Sequence, residues 1–174
     1  MSSTKLPAFT IQYYEHEKKI DFPVELFKTP LKVDGFFSPF VDNQFCLGYL
    51  ENFRRKADTL NYLLNLGHGI EFTKTDNDIY LIKNLSNLNI YILMKNSEEQ
   101  YSVEPDICKP VFNLKPLFQH KFLPKKVGKM YDECSVRISF GKPFEKSNEF
   151  EIGFISPCWI EMTLTRIVNF NLEN

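Results

Sequence analysis

The chain has no surplus of either charge: its 174 residues hold 21 Lys and Arg against 22 Asp and Glu, a net of −1. A domain that grips nucleic acid by its phosphates needs a marked excess of basic residues, so direct DNA binding is not expected. The local runs Arg54-Arg55-Lys56 and Lys121, Lys125, Lys126, Lys129 read as solvated faces. Cysteine is sparse, with four residues and no C-x-x-C pair or neighbouring His, which excludes a locally spaced zinc site. Each cysteine lies in an apolar or strand-like stretch, where a free thiol behaves as a small hydrophobe. Met1 to Pro7 has no apolar signal core, and no apolar run reaches bilayer-spanning length. The expectation is a chain off the membrane, with reduced thiols, in cytoplasm and nucleus. Glycine at 7 and proline at 10 exclude a low-complexity or collagen-like chain. No nucleophile-elbow or Cys-His signature accompanies His16, His68 or His120, and Asp76 with Asp78 lacks further oxygen ligands for a cation. No catalytic residue, metal or cofactor is expected, and the chain reads as a non-enzyme.

What the sequence has in abundance is aromatic residues, 17 Phe and 8 Tyr, which suit pleated, half-buried surfaces. Alternation is cleanest at Ser156 to Leu164. There Cys158, Ile160, Met162 and Leu164 share one face, and Trp159, Glu161 and Thr163 the other. Similar patterns run through Phe9–Tyr13, Phe22–Leu26, Leu31–Phe36, Phe45–Gly48, Ile70–Lys74, Ile79–Lys83, Leu88–Met94, Ile107–Leu114 and Cys134–Phe140. The polar 95–105 segment reads as loop, as do 38–44 and 141–155. One convincing helix is expected, with Leu60, Leu63 and Leu64 on its core face, Asp58 as its cap and Gly67 past its end. Segment 116–133 suggests one or two short helices. Many short strands, one internal helix and no βαβ rhythm predict an antiparallel β-sandwich in a single domain over 9–174, after a disordered 1–8. Arg137 and Glu161 lie on the polar faces of two such strands and would form a charge pair if those strands adjoin.

Read in order, the segments Tyr13-Tyr14-Glu15, Val33-Asp34-Gly35-Phe36, Phe45-Cys46-Leu47-Gly48, Leu66-Gly67-His68-Gly69-Ile70, Cys134 to Phe140 and Pro157-Cys158-Trp159-Ile160-Glu161 resemble the C-terminal effector domain of Smad proteins, MAD homology 2. The resemblance spans Tyr13 to Leu164. It implies a mainly β, antiparallel β-sandwich of the Smad/forkhead-associated type, with a loop-helix region at one end and a helical bundle at the other. The 119–133 segment is shorter than the family's, which implies a reduced bundle. The last family helix and the C-terminal serine tail are expected to be missing.

The resemblance also implies a protein-interaction module acting in transforming-growth-factor-β-type signalling and transcription regulation through partner Smads, as an antagonist or partner subunit in homo- or hetero-oligomers. A phosphoserine tail needs cationic donors. By resemblance these are Lys142 and Lys115, with Phe144 in place of the family's loop tryptophan. Cys158, Trp159, Glu161 and Arg137 are carried over as structural residues. Asn148 and Phe150 stand where the family has Tyr and a phosphate-binding Arg, and Leu63-Leu64 replace the basic end of its interface helix. The alternatives are a phosphopeptide adaptor outside that pathway, or a decayed copy without a pocket.

Overall fold

In the computed structural model, the Trp159 stretch becomes the strand on which one whole sheet depends. The structure describes residues 7–37, 43–97, 99–119, 127–145 and 156–168. In chain order the strands are β1 (Phe9–Glu15), β2 (Lys18–Leu26), β3 (Leu31–Asp34), β4 (Gln44–Cys46), β5 (Ile70–Lys74), β6 (Ile79–Asn84), β7 (Ile90–Met94), β8 (Gln100–Val103), β9 (Cys108–Asn113), β10 (Ser135–Phe140) and β11 (Trp159–Thr163). The helices are α1 (Ala57–Leu66), α2 (Leu114–Gln119) and α3 (Val127–Glu133), with a last helical turn at 165–168. Strand β11 lies between β1 and β10 in a six-stranded sheet ordered β2-β1-β11-β10-β7-β8. The second sheet runs β4-β3-β5-β6-β9 and is antiparallel except for the β3–β4 pair.

Alternation decides what each strand buries. Ile11 and Tyr13 of β1, Ile160 and Met162 of β11, and Val136 and Ile138 of β10 belong to one core with Leu31, Val33, Ile70, Phe72 and Ile82 of the second sheet. Each such side chain contributes about 1.5–3 kcal/mol on burial, so the sandwich rests on this shared layer. Helix α1 closes one end. Its glycine-rich exit is required sterically: Gly69 has φ +65°, and a Cβ there would fall 1.8 Å from the Val33 carbonyl oxygen. Thr59 Oγ1 donates to the Pro157 carbonyl at 3.1 Å, and Gly141 N–H to Asn89 O at 2.9 Å, so the β10-to-β11 and β6-to-β7 connections lie at this end too. The opposite end carries α2, α3 and the 165–168 turn; Leu164 N–H donates to Cys134 O, and Leu114 N–H to Asp78 O.

Several expectations need correction. The 95–105 segment contains β8, paired with β7. Its polar Gln100 and Ser102 suit a sheet edge, where one side has no neighbouring strand. The strand expected through Gly48 stops at Cys46, and Leu47–Tyr49 coils tightly because Gly48 N–H turns back to Gly35 O at 2.7 Å. In α1, Leu63 and Leu66 are buried while Leu60 and Leu64 are exposed. Asp58 sits inside the first turn rather than capping it; extended Lys56 holds the cap position and makes no side-chain cap bond. Cys108 is exposed, whereas Cys46, Cys134 and Cys158 are buried. Ala8, expected in the lead-in, is buried and donates its N–H to Leu26 O. Residues 1–6, the 38–42 and 146–155 loop stretches and 120–126 lie outside the described residues. Among the described residues no helix is long and apolar enough to cross a membrane, and no three His, Cys, Asp or Glu side chains group as metal ligands.

Candidate interaction site

The α1 end is built on a buried charge. Glu15 closes β1 with its carboxylate almost wholly removed from water. Arg55 Nε donates to it at 2.8 Å and Asn52 Nδ2 at 2.6 Å. The other guanidinium nitrogens donate to Gly48 O at 3.0 Å and Leu50 O at 2.7 Å. Arg55 is therefore no solvated cation; it pins the turn before α1 to β1. A charge held this way is tolerated only because its hydrogen-bonding positions are filled.

On that clamp the chain raises large apolar side chains into water. Phe37, Tyr49, Phe53, Leu60 and Leu64 are exposed, Phe53 at 97%; Leu60 and Leu64 lie on α1, Tyr49 and Phe53 before it, and Phe37 after β3. Phe37 stacks on His68 at 4.1 Å, and Tyr49 meets Phe36 edge-on at 6.1 Å, so part of this surface is already ordered. Phe22, Phe27, Ile107 and Tyr131 are exposed on other elements, and the gathering of five around α1 is what suits an interaction surface.

Beside it, on the outer face of the six-stranded sheet, Trp159 is buried and stacked on Tyr14 with centroids 4.0 Å apart. Its Nε1 donates to His16 O at 2.7 Å, and Phe144 meets it edge-on at 5.8 Å. Gln100 on β8 holds Phe144 by two bonds of 3.0 Å, donating to its carbonyl and accepting from its N–H. One strand position along, Arg137 and Glu161 are register partners across β10 and β11 and pair at 3.0 Å, as their positions predicted. Lys95 adds a 3.2 Å contact to the same carboxylate. Cys158 faces the core, where the Tyr13 hydroxyl donates to its sulfur at 3.6 Å. Burial pushes the Cys158 thiol up to about 12, and burial together with neighbouring Cys158 and Glu15 holds the Tyr13 phenol well above its ordinary range. Both are packing groups, not nucleophiles.

The two expected phosphate-binding lysines are not brought together. Lys142 follows β10 beside Trp159, and its ammonium lies 3.4 Å from Glu145. Lys115 is the second residue of α2 at the opposite end, where neighbouring Leu114 lines a hollow with Phe9 and Leu164. The five residues of β11 put about 13 Å between those ends. A cation that sequence reading passed over, Lys109 on β9, reaches across to β8 and pairs with Glu104 at 3.4 Å. It donates to Ser102 O at 2.6 Å, on the strand whose Gln100 clamps Phe144. No local signal marks it, because its partners lie on and after β8, a strand of only four residues. Asn148 and Phe150 lie outside the described residues.

Comparison with known proteins agrees with this architecture. The interferon regulatory factor 9 IAD domain superposes with a TM-score of 0.60 at 9% identity, covering 100% of this chain and 90% of that one. A chain from the crystal structure of STAT2 in complex with IRF9 gives 0.60 at 10% identity, covering 95% and 96%. Identities this low speak for a shared SMAD/FHA fold alone. In sequence, the MH2 domain matches over residues 9–165. MH2 domains are protein-interaction modules rather than a family of enzymes. The chain, matched over nearly its whole length, belongs to the MH2 domain family.

Proposed function

We propose that this protein docks partner Smad-type effector domains through its α1 end and so tunes transforming-growth-factor-β-type signalling and transcription, as an antagonist or partner subunit. The observation that carries the reading is the exposed set Phe37, Tyr49, Phe53, Leu60 and Leu64, held on the Glu15–Arg55 clamp. Apolar anchors on a preordered base lose little conformational freedom on docking, which favours binding. An assembly of like or unlike copies fits the same surface, and residence in cytoplasm and nucleus follows from such partners. A fold neighbour solved in a complex with its partner supports a docking role for the scaffold.

Immobilised Smad effector domains, with and without phosphorylated serine tails, test the reading. Retention of this chain, lost in a Leu60→Asp/Leu64→Asp variant, is expected. Equal retention of wild type and variant would remove the α1 surface from the proposal. A second reading, a phosphopeptide adaptor outside that pathway, draws on Lys142 and Phe144. Tighter binding to phosphorylated peptides unrelated to Smad tails, weakened by Lys142→Ala, would favour it.

A further inference from the structure

We draw no further inference here: the strongest candidate, the 85% exposed Phe22 side chain on the bulge of edge strand β2, carries none because nothing in the structure shows what covers it.

Discussion

The two ends of this sandwich solve opposite problems with the same sheet. At the α1 end, charge is buried and apolar surface is exposed: Glu15 and Arg55 lie inside, while Phe53 and Leu64 stand in water. At the other end, apolar surface is sunk and charge is exposed, with Phe9 and Leu164 under a rim of Lys28 and Arg166. The first arrangement gives a raised, rigid platform suited to a broad protein partner. The second gives an apolar hollow with cations at its edge. Strand β11 connects them, and its strict alternation keeps the core between them continuous. Sequence similarity to one family therefore covers two surfaces of different chemistry.

The largest effect is expected where charge is buried. Glu15→Ala leaves the Arg55 guanidinium desolvated and short of its acceptor, which should cost about 3–5 kcal/mol in urea unfolding. The Glu15→Leu/Arg55→Met double variant removes both charges and should recover much of that loss. A loss under 1 kcal/mol for the single change would show that the α1 end does not rest on this clamp.

Alkali should affect both ends alike. Burial pushes the thiols of Cys158, near α1, and Cys134, near α3, from 9.0 up to about 12. The folded state thus favours the protonated thiol. Its contribution is fully present below pH 9.0 and is lost as pH rises toward about 12. Unfolding midpoints should fall across that window, and Cys158→Ala and Cys134→Ala should each flatten the fall. An unchanged slope in either variant would mean that another group dominates there.

Much of the core was legible in the sequence because it depends on local alternation. Ile160 and Met162 announce a buried face by spacing alone, and Arg137 met Glu161 because both sat on polar faces of strands that proved adjacent. Strand β8 was not legible, since its alternation of Gln100 and Ser102 with Tyr101 and Val103 lasts only four residues inside a polar stretch, too short a run to stand out. Leu60 and Leu64 read as core because helical spacing reports one apolar stripe, not which part of it finds a partner. Arg55 looked solvated because its acceptors Glu15, Gly48 and Leu50 come from separate segments. Lys115 and Lys142 looked like one site for a similar reason: chain order carries no information about which end of a sheet a loop reaches.

The Arg137–Glu161 pair should have an intermediate effect. Both side chains are about four-fifths buried, and Lys95 shares the carboxylate. Arg137→Ala should cost about 1.5–3 kcal/mol, a charged hydrogen bond's worth, and a cycle with Lys95→Ala should show coupling through Glu161. Additive losses would mean that the two cations act independently and that the outer face of β11 is not a network.

The smallest effect on stability should come from the most exposed residues, and it separates a docking surface from a packing surface. Leu60 and Leu64 lie one helical turn apart and outside the core, whereas Leu63 between them is fully buried. Leu60→Asp with Leu64→Asp should therefore shift stability by no more than about 0.5 kcal/mol, while Leu63→Ala should cost about 2–5 kcal/mol. If the exposed pair proved as costly as Leu63, these leucines would be covered by the chain itself, and the raised platform would be no surface at all. If the pair is silent in unfolding yet abolishes partner retention, α1 divides by residue: Leu63 and Leu66 hold the fold, and the ridge beside them meets the partner.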